Sequence, residues 1–201
     1  TYYPSGIIRS EGIRTNHLLD STWVFFNEAG DTLQKVSYTM GKRNGYTYDY
    51  YQQVGADPMI RGRLISKELY VNDKKEGISF YYHLNGNIKE QAAYSNNKRD
   101  GITYEFDENG TLITLNTYRN GLLTEREKIN RKDDKGLKQG TWKAYYDNGR
   151  LKNEMNFQDD LLTGVYREYD ENGNIKVFMQ YNRGLIVEQN DTIALDIEIR
   201  N

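Results

Sequence analysis

The sequence predicts an all-β protein, an elongated, twisted, single-layer antiparallel meander of tandem β-hairpins with a period of 24 residues. Three observations support this fold class. A motif that opens with glycine recurs at this spacing, two positions of every copy are aromatic, and each copy holds two segments with the composition of turns. We therefore expect a single repeat domain.

The motif is clearest in two successive copies. The segment Gly77-Ile-Ser-Phe-Tyr-Tyr-His-Leu-Asn-Gly86 is followed 24 residues later by Gly101-Ile-Thr-Tyr-Glu-Phe-Asp-Glu-Asn-Gly110. We call the first residue of each motif the anchor and number the copies from 1 to 6; the anchors are Ser21, Gly45, Gly77, Gly101, Gly140 and Gly164. The predicted units are a partial repeat over 1–20, complete copies over 21–44, 45–76, 77–100, 101–139, 140–163 and 164–187, and a C-terminal capping strand over 188–201.

Each copy contains the elements of one hairpin. In copy 4, Ile102, Tyr104 and Phe106 alternate with polar residues, as in a strand, and Asp107-Glu-Asn-Gly110 has the composition of a turn. A return strand follows, and Asn120-Gly121 forms the turn into the next copy. Because two strands and two turns use all 24 residues, no room remains for a helix. Neighbouring hairpins must pair to bury their apolar face, which extends the sheet by roughly 10 Å per copy.

Two aromatic positions define the repeat. The residues five positions after the anchors are Phe26, Tyr50, Tyr82, Phe106, Tyr145 and Tyr169. Those seventeen positions after them, once the insertion in copy 2 is allowed for, are Tyr38, Tyr70, Tyr94, Tyr118, Phe157 and Tyr181. Repetition thus explains half of the 18 tyrosines. We expect the anchor glycines to lie where the backbone bends or where an aromatic ring packs over it.

Two insertions interrupt the period. Copy 2 carries eight extra residues around Gly55–Gly62, and copy 4 is followed by 15 extra residues. Variable loops on a regular scaffold often hold specificity, so we expect Asp57–Arg61 and Lys132–Lys138 to project beyond the sheet. The segment from Leu122 to Lys135 has helix-forming residues but a thin apolar face, and we expect it to be extended.

The C-terminal segment alternates apolar and polar residues. Its apolar members are Ile193, Leu195, Ile197 and Ile199. This pattern indicates a capping strand, which repeat arrays require. The alternative is a free sheet edge offered to a partner.

Composition excludes several functions. The chain has no Cys and two His residues, His17 and His83, so we expect no disulfide, no metal site and no cofactor. A formal net charge of -2 without a basic run argues against binding to nucleic acid or to anionic membranes. We find no transmembrane segment or signal peptide. Because the chain begins at Thr1, export to the bacterial cell envelope, with a signal segment absent from this chain, stays open.

The pattern Gly-x-Trp-x-x-Tyr-x-x-Asn-Gly-x-Leu-x-x-x-x-x-Phe, read from Gly140 to Phe157, resembles the MORN repeat, in particular its bacterial variant. The resemblance covers nearly the whole chain. It implies an elongated all-β array that serves as an assembly or membrane-proximal module, and some members of the variant family are named antitoxin-like. The chain lacks the regular Tyr-x-Gly start of the eukaryotic type. The aromatic hairpins of bacterial cell-wall-binding modules are also similar, but they are Trp-rich and have a shorter period.

Candidate catalytic groups have simpler structural interpretations. The acidic pairs Asp107-Glu108 and Asp170-Glu171 recur in the same turn of different copies, and Asp133-Asp134 fits a solvated loop tip. Neither His17 nor His83 has a Ser or Asp partner that the repeat would bring beside it. We therefore expect no enzymatic activity.

The remaining candidate is the aromatic surface. Tyr48, Tyr50 and Tyr51 form one predicted cluster; Tyr81, Tyr82 and Tyr104 a second; and Trp142, Tyr145, Tyr146 and Tyr166 a third. Exposed aromatic patches mark recognition sites; the alternative is that the rings form the core of the sheet by stacking on one another. As tentative partner-binding residues we select Tyr48, Tyr51, Tyr81, Tyr104, Trp142, Tyr146 and Tyr166. We expect a protein-interaction scaffold, with glycan binding and an antitoxin or immunity function as alternatives.

Overall fold

The computed structural model describes residues 1–52 and 59–190. Within these ranges the chain forms antiparallel strands and no helix. The strands are β1 (Ser10–Thr15), β2 (Leu18–Phe26), β3 (Thr32–Thr39), β4 (Lys42–Tyr50), β5 (Leu64–Val71), β6 (Lys74–Lys75), β7 (Gly77–Tyr82), β8 (Ile88–Ser95), β9 (Lys98–Phe106), β10 (Leu112–Arg119), β11 (Leu122–Lys128), β12 (Arg131–Lys132), β13 (Lys138–Tyr145), β14 (Leu151–Gln158), β15 (Leu161–Leu162), β16 (Gly164–Tyr169), β17 (Ile175–Asn182) and β18 (Leu185–Asn190).

The predicted all-β meander of consecutive hairpins is confirmed, but it is divided between two sheets. The first sheet has 11 strands, in which β1 to β11 follow one another with the short β6 paired to β5. The second has seven strands, in which β12 to β18 follow in the same way with the short β15 paired to β14. The chain correspondingly forms two compact units, Thr1–Glu127 and Lys128–Asn201, where the sequence predicted one domain. We call them the N-terminal and C-terminal units.

The division falls in the insertion after copy 4. The prediction that Leu122 to Lys135 is extended is confirmed, because this segment contains β11 and β12. The prediction that Lys132–Lys138 projects beyond the sheet is wrong: Lys132 pairs with Lys138 in a short hairpin of the second sheet. The first residues of Asp57–Arg61, and the predicted capping strand from residue 191 onward, lie outside the described residues.

Among the described residues, the two turns of a copy each have a regular geometry. In the first turn of copy 4 the Gly110 N–H donates to the Asp107 carbonyl over 3.0 Å, and the Asp107 N–H donates to the Thr111 carbonyl over 2.9 Å. In the second turn of copy 3 both central residues have positive φ, 49° at Asn96 and 68° at Asn97. This is the backbone of a type I′ hairpin, whose twist matches that of the strands. His17 occupies the same kind of slot, with φ 67°.

The anchors share an unusual backbone conformation. Gly77 has φ 66° and pairs with Tyr94, so the aromatic residue seventeen positions along lies opposite the anchor. The same pairing joins Gly140 to Phe157 and Gly164 to Tyr181. Copy 1 has Ser21 in this place, with φ 62°, opposite Tyr38. Since side chains other than glycine rarely adopt positive φ, five of the six anchors are glycine.

Register fixes the two faces of the first sheet, because directly paired residues point to the same side. One row of residues crosses the strands β2 to β10 on what we call the packed face. All its members except Glu68 are at most 5% exposed. The packed row is Trp23, Val36, Thr47, Glu68, Ser79, Ala92, Thr103 and Asn116.

The adjacent row lies on the opposite side, which we call the open face. None of its members is fully buried. The open row is Val24, Lys35, Tyr48, Lys67, Phe80, Gln91, Tyr104 and Leu115. The sheet thus carries its buried residues on one face only.

Candidate interaction surface

The predicted partner-binding residues lie in different environments. All seven are partly exposed. Tyr48 and Tyr104 belong to the open row, whereas Tyr81 lies two residues after Ser79 and faces the packed side. The second predicted cluster is therefore split between the two faces. The structure places Trp142 and Tyr166 in the second sheet and Tyr146 at the first position of a turn, and Tyr51 exchanges backbone hydrogen bonds with Gly62 and Arg63.

Tyr81 belongs to a polar network centred on Glu68. Its hydroxyl donates to Glu68 Oε1 over 2.8 Å and lies 3.1 Å from the Tyr94 hydroxyl. Lys75 Nζ forms an ion pair with the same Oε1 at 2.7 Å, and the Tyr70 hydroxyl donates to Oε2 over 2.9 Å. Three donors thus bind one carboxylate. The Tyr81 hydroxyl is engaged in hydrogen bonds on the packed face.

The network shifts the pKa values of its members. Burial raises the pKa of Glu68, but the hydrogen bonds from Lys75, Tyr81 and Tyr70 outweigh it and leave this pKa below its ordinary value. Burial, followed by the hydrogen bond to Glu68, raises the pKa of Tyr70 to about 12. Burial and the contacts with Tyr94 and Glu68 raise the pKa of Tyr81 as well. Glu68 is therefore ionised and both tyrosines are protonated at neutral pH.

A ladder of cations and rings, which was not predicted from the sequence, runs beside the packed row. The Arg43 guanidinium carbon lies 4.0 Å from the centre of the Tyr70 ring, Lys75 Nζ lies 4.7 Å from that of Tyr94, and the Arg99 guanidinium carbon lies 5.3 Å from that of Tyr118. Each cation stands two positions before an anchor, so a search for repeated charges could have found it. These cations are also paired with carboxylates: Arg43 with Asp73, Lys75 with Glu68 and Arg99 with Glu90.

In the second sheet the aromatic rings of Trp142 and Phe157 contact each other but stay partly exposed. Trp142 meets Phe157 edge-on at 5.8 Å between centroids, and Lys138 Nζ lies 4.8 Å from the centre of the Trp142 ring. Trp23, at the same repeat position, donates its ring N–H to the Ile13 carbonyl over 2.8 Å. The buried Trp142 Nε1 has no hydrogen-bond partner among the described residues. The Tyr166 hydroxyl donates to Glu168 over 3.2 Å.

Tyr146 and His83 link successive hairpins. Both open the first turn of their copy. The Tyr146 hydroxyl donates to the Tyr169 carbonyl over 2.7 Å, and His83 Nε2 bonds the Phe106 carbonyl at 2.9 Å. Tyr3 bonds Phe26 in the same way over 2.7 Å. Each bond joins residues 23 apart, so these side chains hold one hairpin against the next.

Where an Asp opens such a turn, its side chain accepts hydrogen bonds within that turn instead of bonding the next hairpin. Asp107 Oδ1 accepts the N–H groups of Asn109 and Thr111 over 2.9 and 2.8 Å, and Asp170 and Asp133 cap their own turns in the same way. Hydrogen bonds from Asn174 lower the pKa of Asp170, and the Leu137 N–H lowers that of Asp133. The interpretation of these acids as turn residues is confirmed. In the described ranges, no group of three or more His, Asp or Glu side chains could hold a metal ion.

The open face of the N-terminal unit combines aromatic, aliphatic and basic side chains. Tyr46 and Tyr48 lie 6.1 Å apart between ring centroids, and Lys67 Nζ lies 4.3 Å from the centre of the Tyr46 ring. Ile78 and Ile102 are 38% and 43% exposed. This face holds two of the predicted residues, Tyr48 and Tyr104.

The fold defines a class, an all-β protein of tandem hairpins that form antiparallel sheets. The model of the MORN repeat variant family matches the chain four times, at residues 75–96, 99–120, 138–159 and 162–182. The chain belongs to the MORN repeat variant family. No curated protein matches its sequence.

Family membership agrees with the repeat found in the sequence. The four matches fall on copies 3 to 6, and copies 1 and 2 show the same pairing of anchor and aromatic residue. MORN repeats are non-enzymatic motifs that generally mediate interactions with proteins or membranes. No helix in the described ranges is long and apolar enough to cross a membrane.

Proposed function

We propose that this protein is a non-enzymatic scaffold that binds a protein partner through the open face of its N-terminal unit. The observation that supports this function is the contrast between the two sides of one sheet. Seven of the eight packed-row residues are at most 5% exposed, while the open row next to it contains no fully buried residue.

The chemistry of the open face suits protein recognition. Tyr48, Phe80 and Tyr104 recur on every second strand of the open row, with Ile78 and Ile102 exposed beside them. Tyrosine supplies a large contact area at a low cost in conformational entropy, and such side chains are enriched where partners bind most tightly. A rigid sheet holds these rings in place before binding, which reduces the entropy lost on association.

The test is affinity purification from the native source with the full chain as bait, comparing wild type with the double variant Tyr48→Ser/Tyr104→Ser. Partner recovery should fall at least tenfold. Tyr2→Ser, at a tyrosine that is 69% exposed, is the matched control and should retain the partner. Equal recovery by the double variant, with an unchanged circular dichroism spectrum, would place the binding surface elsewhere.

Glycan binding is the second candidate, since the partly exposed rings of Tyr48 and Tyr104 could stack on sugars. A polysaccharide screen in which wild type and the double variant are both blank would eliminate it. The antitoxin or immunity alternative is a special case of a protein partner. It rests on the names of some members of the family and has no support from any particular residue of this chain.

A further inference from the structure

We propose that the open face of the N-terminal unit takes an acidic, proline-rich segment of the partner, bound as a polyproline II helix lying across the strands. This inference rests on the proposed function and specifies the partner's chemistry. It is supported by the charge of the open face and by the spacing of its side chains.

The two lysines of the open row differ from the cations of the packed face in their partners. Lys35 Nζ lies 5.8 Å from the centre of the Tyr50 ring and Lys67 Nζ 4.3 Å from that of Tyr46. Among the described residues neither lysine is ion-paired with a carboxylate, in contrast to Arg43, Lys75 and Arg99 on the packed face.

A second row of lysines runs parallel to the open row. Lys42, Lys74 and Lys98 are exposed and pair with Thr39, Val71 and Ser95, which continue the open face. Two carboxylates, Glu76 and Asp100, lie between the two rows, and Glu76 already accepts the Asn96 N–H over 2.8 Å. The five lysines of the two rows outnumber these two carboxylates and Glu11, which pairs with Val24 at one end of the open row, so the surface is basic within a chain whose formal net charge is -2. A complementary partner is acidic.

The spacing of the side chains along the open row matches that of a polyproline II helix. In the open row Lys35, Tyr48, Lys67 and Phe80 stand on successive neighbouring strands, so lysines alternate with rings. Strands lie about 4.8 Å apart, so equivalent side chains recur every ~9.6 Å. A polyproline II helix advances about 9.3 Å in three residues and returns to the same side.

Other regular conformations fit this spacing less well. An extended strand covers about 10 Å in three residues, but its side chains alternate with a period of two, so every third one changes side. An α-helix needs seven residues, or about 10.5 Å, and loses register by about 1 Å at each step. Proline rings also pack on aromatic side chains with little loss of entropy, because the polyproline helix is already formed in the free segment.

The experiment measures fluorescence anisotropy of fluorescein-labelled (Pro-Pro-Glu)5 titrated with the full chain. Saturable binding that weakens with added salt is expected. Two further peptides define the specificity: (Pro-Pro-Lys)5, and a peptide of the same composition as the first in which the glutamates are irregularly spaced. Each should bind at least tenfold more weakly. Equal binding of the irregular peptide would overturn the polyproline register, and equal binding of the basic peptide would overturn the charge assignment.

Variants of the chain locate the site. Lys35→Glu/Lys67→Glu should weaken binding of (Pro-Pro-Glu)5 at least tenfold. Lys132→Glu/Lys135→Glu, the same change of charge at exposed lysines of the C-terminal unit, should alter it less than twofold. If the first variant fails to fold, Lys35→Met/Lys67→Met removes the charge and keeps the long side chains over the rings. Equal effects of the two glutamate variants would contradict the site.

The outcome separates this inference from the proposed function. If (Pro-Pro-Glu)5 does not bind while partner recovery still depends on Tyr48 and Tyr104, the scaffold function stands and the acidic proline-rich partner is excluded. If partner recovery is independent of Tyr48 and Tyr104, the proposed use of the open face is itself excluded.

Discussion

Lys75 Nζ lies 2.7 Å from Glu68 Oε1, and both side chains are largely buried on the packed face. Tyr70 and Tyr81 donate to the same carboxylate, which gives the centre of the first sheet a charged network in place of an apolar core. Removing one member of such a network costs more than the interaction itself is worth, because the other members stay buried without their partner.

The first prediction concerns the pH dependence of this network. Glu68→Gln should lower the free energy of unfolding at pH 7 by about 2 kcal/mol. The folded-state pKa of Glu68 lies below its ordinary value, so the contribution is complete above the unfolded pKa of about 4.3 and is lost as pH falls through the folded value. Urea unfolding of wild type and variant should thus converge in acid. A difference that is constant with pH would contradict the assignment.

The second prediction concerns the anchors. Gly77→Ala should destabilise the protein by about 1 kcal/mol or more, because φ is 66° and the new Cβ would lie 3.1 Å from Leu69 Cδ2. Ser21→Gly is the reciprocal change, since Ser21 holds φ 62°, and should stabilise by roughly 0.5 kcal/mol. Thermal unfolding measures both. If the two substitutions shift the melting temperature in the same direction, the anchors are not strained in this way.

The third prediction concerns the buried hydroxyls of the packed row. Thr103 is fully buried, and its Oγ1 has no hydrogen-bond partner among the described residues. Thr103→Val removes that hydroxyl with little change of shape and should stabilise the protein by about 1 kcal/mol. Thr22→Val, at an exposed position of β2, serves as control and should change stability by less than about 0.5 kcal/mol. A loss of stability at Thr103 would indicate that its hydroxyl is hydrogen-bonded.

The fourth prediction concerns the bridge between copies 5 and 6. Tyr146→Phe removes the donor to the Tyr169 carbonyl and should cost about 1 kcal/mol of stability. Hydrogen exchange should report the loss in the C-terminal unit, around the turn that Asp170 opens. Tyr2→Phe, at an exposed ring, is the control and should have no effect. An unchanged exchange rate around Asp170 would show that Tyr146 does not hold the two hairpins together.

Much of the local structure could be predicted because it depends on residues close in sequence. Asp107 and Gly110 determine one turn, Asn120 and Gly121 determine the next, and the spacing of 24 between anchors determines that hairpins follow one another. The predicted partner-binding residues do not share one environment. Tyr48 and Tyr104 lie on the open face, whereas the hydroxyls of Tyr81 and Tyr146 serve internal hydrogen bonds.

The sequence by itself determined the repeat, the hairpins and the positions of the anchors. Only the tertiary structure decided which face is buried. On β4, β7 and β9 polarity would have assigned the faces in reverse, because Thr47, Ser79 and Thr103 are polar and Tyr48, Phe80 and Tyr104 are aromatic. The short residues are nevertheless the buried ones, since long side chains around them meet one another, as Tyr81 meets Tyr94 and Glu68. Such shielding depends on register between neighbouring copies, which no single copy encodes.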